Sequence, residues 1–583
     1  MAEQLISPGS LLREQDISFI PPQIIESDFS IIGPTAKGRI NIPTRITSYS
    51  EYIAKFGDSY KGEVDGKTKV WSFLTTIAVF NYFQNNGESI LVTRVVPSMD
   101  GTTAITWSPA EIGVEVDKSE TSTPDLESLF TIETLAEGED QNSDGTNGSK
   151  ENIKIEIANV NISRGTFTLI VRRGDDTDNN KIILESYSNL NLDPNSDNFI
   201  SKRIGNTKFT LETTDGHYIQ EVGEFANVSN FIRIKEVAVE MLKYNSAEVF
   251  ESGVTWGDLI GGLEDLSTLT FTGGEGTLLS DGSFFNYIAG TDGETQGVMP
   301  ADYEDAIKLM ANQDEYIFNI VATPGLIYGV SEHASLINQL DQIIKTRGDA
   351  IYIIDPAVYE TPVNSVAQVG QNIDSSYAAA YWPWLQINDP VTGKLVWVPA
   401  STLVPGVYKF TDTTGETWDA PAGITRGGLG IVRQAERKVT VTQRNTLYDS
   451  GINAIATFPG VGIVVYGNKT LQNAQSALDR VNVRRLIIEI KGFVKRIADG
   501  LVFEPNSIST RNRFLNSVNP RMEFIQQRNG LFAYKVVMDD TINTPDVIDR
   551  NELRGAIYVQ PTRTSEFIYI DFIIQPTGAE FPQ

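Results

Sequence analysis

The stretch from 315 to 356 limits the possible architectures more than any other. "EYIFNIVATPG" (315–325) reads as a strand, "SEHASLINQLDQIIKTRG" (331–348) as a helix and "DAIYIIDP" (349–356) as a second strand. Leu336, Leu340, Ile343 and Ile344 fall on one side of the helix, and Gly348 stands just past its end. A strand, a crossover helix and another strand imply parallel pairing, and a parallel sheet needs helices over both faces. The region 23–100 has the same character. It offers a strand at "DFSIIG", a short helix at "TSYSEYIAKFG" (47–57), a longer buried helix at "VWSFLTTIAVFNYFQNNG" (70–87) and a strand at "SILVTRVV" (89–96). "SSYAAAYWPWLQI" (375–387) reads as one more strand.

Other parts of the chain follow different rules. Between 101 and 240, alternating stretches such as "NIKIEIANVNI" and "TFTLIVRR" lie among Asn/Asp/Gly clusters, the pattern of a β-sandwich. Residues 115–150 read as a polar, acidic loop. The last part mixes an amphipathic helix from 482 with strands at "AYKVVMD", "GAIYVQP" and "EFIYIDFIIQP". The expected organisation is a multidomain α/β and α+β chain. It has an extended arm (1–22), an α/β part (23–100), an inserted acidic β-sandwich (101–240), a main α/β core (241–445), an α+β domain (446–565) and a terminal strand or arm (566–583). There is no internal repeat of fixed period.

At 583 residues, several domains are expected. The absence of cysteine excludes disulfides, thiolate metal sites and a cysteine nucleophile, and fits assembly in a reducing cytoplasm. No apolar run is long enough to cross a bilayer, and "MAEQLISPGS" lacks the basic and apolar regions of a secretory signal. The net charge of −28 is unevenly spread: 101–300 holds 13 Lys/Arg against 34 Asp/Glu (13 − 34 = −21), whereas 421–583 holds 20 against 15 (20 − 15 = +5). Such asymmetry suggests surfaces that face different neighbours.

Catalytic and ligand motifs are weak. "DQNSDGTNGSKE" places Asp140, Asn142, Asp144 and Glu151 at calcium-loop spacing, where alternate oxygens wrap one hard cation. However, Asn147 occupies a normally aliphatic position and "NIKIEI" follows as a strand, so a polar turn is expected. "GIVVYGNKT" (462–470) is a near miss for a phosphate loop, and its apolar interior reads as a strand. His217 and His333 lack a neighbouring nucleophile turn and are expected at the surface. The C-terminal helix is the most orderly feature. Ile487, Ile490, Val494, Ile497 and Leu501 form an apolar stripe, with Arg484, Arg485, Lys491, Lys495 and Arg496 largely away from it.

Taken in order, the segments resemble the tail sheath proteins of contractile, T-even-like phages. "SPGSLLREQDIS" is similar to the family's opening arm, although Ser10 stands where an apolar residue is usual. "ESYSNLNLDPNSDNFISKRI" (185–204) resembles an Asn-Leu-x-x-Asp segment of its β-sandwich domain. "YWPWLQI", "WVPAS", "GVYKFTD" and "TWDAPAG" resemble the sheath core, with Trp418, Ala420, Pro421 and Gly423 in order. "FPGVGIVVYGNKTL", "NVRRLIIEI", "FEPNS", "RNRFL" and "YVQPTRTSEFIYIDF" resemble its later parts.

The resemblance implies a subtilisin-like α/β sheath core without a catalytic triad, an inserted β-sandwich and an α+β C-terminal sheath domain facing the tube. It implies a structural virion protein, not an enzyme, assembled in the host cytoplasm and needing no cofactor. Copies would form hexameric rings in a helical lattice around an inner tail tube, with baseplate and terminator or neck proteins at the ends, and would contract during genome ejection. No contact with nucleic acid and no membrane insertion are implied. Arg484, Arg485, Lys491, Lys495 and Arg496 would face the tube, and the arms, through Leu11, Leu12, Ile17, Phe567, Tyr569 and Phe572, would pair with neighbouring subunits. A phage-derived bacterial contractile particle, a degenerate subtilisin-like peptidase and an acidic adhesin remain the alternatives.

Overall fold

The computed structural model describes residues 25–64, 67–100, 103–117, 126–143, 149–214, 216–238, 263, 268–278 and 293–566. Leu11, Leu12, Ile17, Asp144, Phe567, Tyr569 and Phe572 lie outside them.

An eight-stranded sheet organises the larger part of the chain. Its strands are β1 (Phe29–Gly33), β2 (Thr44–Ile46), β3 (Ile90–Arg94), β4 (Ile320–Ile327), β5 (Ile351–Asp355), β6 (Ala378–Trp382), β7 (Ile452–Phe458) and β8 (Gly462–Val465), in the order β8-β7-β6-β5-β4-β1-β3-β2. The six inner strands are parallel, and β2 and β8 close the two edges antiparallel. Period-two alternation sends successive residues to opposite faces. Phe29, Ile31, Ile351 and Ile353 enter one core, and Ile32, Tyr352 and Ile354 enter the other. Helices α1 (Leu74–Gln84) and α3 (Val404–Thr414) cover the first face through Leu74, Ile77, Val404 and Val407. Helix α2 (Ser331–Arg347) covers the second through Leu336, Ile337, Leu340 and Ile344. Gly348, at φ +70°, ends α2 in the left-handed conformation that glycine adopts without a Cβ clash. The expected βαβ unit is therefore present. The stretch 375–387 is two strands, β6 and Leu385–Asn388, with a cis Trp382–Pro383 bond between them.

A second unit lies between β3 and β4. A three-stranded sheet (Pro109–Asp117, Leu126–Glu137, Ile232–Val237) and a four-stranded sheet (Ile153–Asn161, Thr166–Arg173, Ile183–Leu190, Leu269–Thr270) contribute to one apolar cluster. Phe130 and Phe167, one from each sheet, stack there at 5.8 Å. Where 115–150 was expected to be a polar loop, a twelve-residue strand, Leu126–Glu137, runs through the middle of the three-stranded sheet. Its inward residues Phe130 and Ile132 are fully buried, and Glu127, Glu133 and Glu137 along the strand obscured that alternation.

The C-terminal part contains α5 (Val481–Asp499), α6 (Ile508–Gln527) and a two-stranded sheet of β9 (Leu531–Val537) and β10 (Ala556–Pro561). Phe514, Val518, Met522 and Ile525 of α6 meet Leu486, Ile490 and Phe493 of α5 in a separate core. The chain turns directly after α5, and α6 continues through Pro520.

Candidate functional site

Helix α5 is buried along two stripes. Val481, Arg484, Arg485 and Ile488, at steps of three and four, are all buried, and Val481 and Ile488 join the α/β core. Leu486, Ile490 and Phe493 join the C-terminal core instead. Of the expected apolar stripe, Ile490 and Leu501 are buried, while Ile487, Val494 and Ile497 are half-buried.

Arg484 and Arg485 therefore do not belong to an outward basic face, contrary to expectation. The Arg485 guanidinium donates through Nη2 to both carboxylate oxygens of Asp412 on α3, at 2.8 and 2.6 Å. It also lies 4.9 Å from the centre of the Tyr408 ring, whose hydroxyl is 2.6 Å from that of Tyr381. Burial works against its charge, and Asp412 more than compensates, holding the guanidinium above its ordinary pKa. Arg484 donates to the Ser376 carbonyl (3.1 Å) and hydroxyl (2.5 Å) and stacks over Tyr377 at 3.9 Å. Burial holds its pKa below the ordinary value. Arginine suits such sites because its planar fork stays charged while it stacks and donates. Two apolar residues at positions 481 and 488, in step with the arginines, were the signal for this second buried stripe.

Lys491, Lys495 and Arg496 are exposed on the last turns of α5. Lys491 donates to the Tyr377 hydroxyl at 2.9 Å, and Lys495 lies 3.9 Å from Asp314. Three of the five basic candidates are thus exposed on α5, and two are not.

The β9–β10 sheet has only two strands, so among the described residues both of its outer edges are unpaired. Phe532 and Tyr558 are exposed on it. Close to the end of the described chain, Glu566 accepts from Arg480 Nε and from the Tyr448 hydroxyl, each at 2.6 Å.

The remaining candidates are committed elsewhere. Asn142 exchanges both side-chain hydrogen bonds with the Gly274 backbone. Glu151 lies 3.4 Å from Lys37 and 3.7 Å from Lys150, and burial raises the pKa of Asp140. No group of three His, Cys, Asp or Glu residues among the described residues is placed to hold a metal ion. His333 is fully buried, not at the surface: its Nδ1 accepts from the Ile327 amide (2.9 Å) and its Nε2 donates to the Gly293 carbonyl (2.6 Å). His217 faces Asp305 at 3.2 Å. Asp355, at the end of β5, accepts from the Ser401 amide (2.9 Å) and hydroxyl (2.5 Å), and burial pushes its pKa up to about 7. This serine–aspartate pair has no imidazole bonded to it. Among the described residues, no helix is long and apolar enough to cross a membrane.

Residues 473–575 match the phage tail sheath C-terminal domain family. The tail sheath protein of Enterobacteria phage T4 is 34% identical over 225 residues, covering 39% of this chain and 34% of that protein. The tail sheath protein of Vibrio phage KVP40 is 34% identical over 223 residues, covering 38% of this chain and 33% of that protein. The chain thus matches about a third of the length of these curated relatives. A sheath tail protein from Listeria innocua, known from its crystal structure, aligns over 92% of this chain and 96% of its own at a TM-score of 0.50. At 10% identity, that is a likeness of mixed α/β fold alone. Residues 473–575 thus match the family model of the phage tail sheath C-terminal domain, and over about two fifths of its length the chain is similar to the tail sheath proteins of Enterobacteria phage T4 and Vibrio phage KVP40.

Proposed function

We propose that the chain is the subunit of a contractile tail sheath. Copies form hexameric rings stacked helically around an inner tail tube, bound to a baseplate at one end and to terminator or neck proteins at the other. Contraction drives the tube through the host envelope during genome ejection. The observation that carries this reading is the sheath C-terminal domain at 473–575, together with identity to tail sheath proteins.

In this reading the core is a subtilisin-like α/β unit without peptidase chemistry. Both nitrogens of His333 are bound to backbone groups, which supports a structural role over a catalytic one. The sandwich stands on the outside of the particle, where its acidic charge stays hydrated. The terminal arms add strands to the sheets of neighbouring subunits. The unpaired edges of β9 and β10 suit such addition, because main-chain bonds form whatever the side chains. Each bond contributes a net ~0.5–1.5 kcal/mol, repeated through the lattice. Lys491, Lys495 and Arg496 face an acidic inner tube. Work comes from a metastable extended lattice, with no bound nucleotide.

Electron microscopy of the concentrated protein tests the reading, and rings or tubes are expected. A deletion of residues 2–20 should leave a soluble, folded subunit that no longer forms long tubes. Persistent monomers of the parent protein would count against the sheath, and normal tubes from the truncated one against the arms.

A further inference from the structure

One surface outside the C-terminal domain is apolar and basic on an otherwise acidic chain. It centres on α4 (Val441–Asp449) and the β7–β8 hairpin. Val441 is 63% exposed, Ile424 59%, Tyr466 48% and Val461 45%. These residues belong to one connected frame. Arg444, one turn along α4 from Val441, lies 5.4 Å from the Phe458 ring and 5.6 Å from the Tyr466 ring, and those rings are 4.9 Å apart. The segment 427–429 runs beside β8, with the Leu429 amide on the Ile463 carbonyl (3.0 Å) and the Val465 amide on the Gly427 carbonyl (2.8 Å). Ile424 and Ile431 are thereby held next to the hairpin.

Scattered exposed apolar residues are ordinary, whereas several on one frame with a charged rim mark a protein contact. Between 424 and 466 there are five basic residues (Arg426, Arg433, Arg437, Lys438, Arg444) and two acidic ones (Glu436, Asp449), a net of 5 − 2 = +3; Arg426 is paired with Asp419 and Arg437 with Glu436, each at 3.1 Å, which leaves Arg433, Lys438 and Arg444 to meet a partner. The rest of the chain therefore carries −28 − 3 = −31. A partner chosen by charge is abundant in the chain itself.

We propose that this face docks on an acidic surface of a second copy of the chain, in a head-to-tail contact. This rests on the reading that the protein self-assembles, and it names the surface that does so. A head-to-tail contact joins two different patches, so it extends into rings or helices instead of ending at a dimer. Apolar side chains give the contact its core, and the arginine and lysine rim orients the approach.

The test compares the parent with a Val441→Asp/Tyr466→Ser variant. Both positions are exposed, so the variant should keep the parent's circular dichroism spectrum and protease resistance. The concentration needed for tube or ring formation should rise at least tenfold, and assembly of the parent should weaken with added salt. Assembly of the variant at the parent's concentration would overturn this inference and leave the sheath reading intact. A parent that never assembles would overturn both. A second measurement uses the absence of cysteine. A single Val441→Cys variant, labelled with a benzophenone maleimide, is mixed with isotope-labelled parent and photolysed during assembly. Cross-links to an acidic peptide of the labelled copy are expected. Cross-links confined to the same chain would overturn the proposal.

Discussion

Replacing Asp412 by alanine should destabilise the junction between α5 and the α/β core far more than the loss of a surface ion pair would. The Arg485 side chain is 6% exposed and Asp412 17% exposed. Both guanidinium–carboxylate contacts come from Nη2, and Nη1 is buried with no hydrogen-bond partner among the described residues. Removing the carboxylate leaves a charge that cannot leave its site without pulling α5 away. Breaking a buried pair in this way costs about 3–5 kcal/mol, against ~0–1 kcal/mol for an exposed one. Replacing both partners tells a different story. Arg485→Met with Asp412→Ala fills the site with apolar volume beside Tyr408 and removes the unpaired charge, so most of the loss should be recovered. A multidomain chain does not unfold in one step, so a single global unfolding energy is the wrong readout. Hydrogen exchange along 481–490 and 404–414 reports the junction directly. The single variant should speed exchange there by roughly two to three orders of magnitude, following the tenfold-per-1.4 kcal/mol relation. The double variant should return most of the way. Exchange within threefold of the parent in Asp412→Ala, or a double variant no slower than the single one, would refute the reasoning.

Asp355 makes stability depend on pH. Its folded pKa, about 7, lies above the ordinary 3.8, so between those values the fold holds a proton that the unfolded chain has lost. The stability this group contributes is therefore fully present below about pH 4, falls as pH rises towards 7 and is lost above it. Asp355→Asn keeps an acceptor for the Ser401 amide without the charge; hydrogen exchange along 351–355 and 400–403 should be slower than the parent's at pH 8, and the two should converge at pH 4. Changing Lys491, Lys495 and Arg496 together to Glu should leave a folded subunit that forms sheath-only tubes but co-assembles poorly around an acidic inner tube. Normal tube-filled tails seen by electron microscopy would refute the tube-facing assignment. Asp117 and Leu126 are register partners, so removing 119–124 shortens a hairpin connection and should spare the sandwich. Deleting 126–137 removes the middle strand of its sheet and should abolish protease resistance of the region, as limited proteolysis would show.

What could be read from the chain depended on whether one periodicity acted alone. Ser48 and Gly57 bracket a helix at Tyr49–Phe56, with the Ser48 hydroxyl accepting from the Glu51 amide, as the start and stop signals required. The strands of the parallel sheet were legible because both of their faces are apolar. Leu126–Glu137 was hidden because Glu127, Glu133 and Glu137 interrupt its apolar residues and its flanking segments are polar. Helix α6 was hidden by Pro520 and by a narrow apolar stripe amid Asn, Ser and Arg. At the candidate site, a basic face was visible but its division was not. Arg484 and Arg485 find Ser376, Tyr377 and Asp412, which lie between 70 and 110 residues away in sequence, and helical spacing carries no information about such partners.

The place of β1 in the sheet has a consequence for synthesis. Phe29 pairs with Ile320, 291 positions later (320 − 29 = 291), while its other neighbour, β3, follows within the first hundred residues. At about 5–20 residues per second, a ribosome needs about 15–60 s to deliver β4. During that interval β1 has one satisfied edge and one bare edge, and the sandwich emerges and closes on its own core in the meantime. Nascent copies crowded on one message would present the same bare edge to each other, so chaperone cover during that window should govern the yield of assembly-competent subunit.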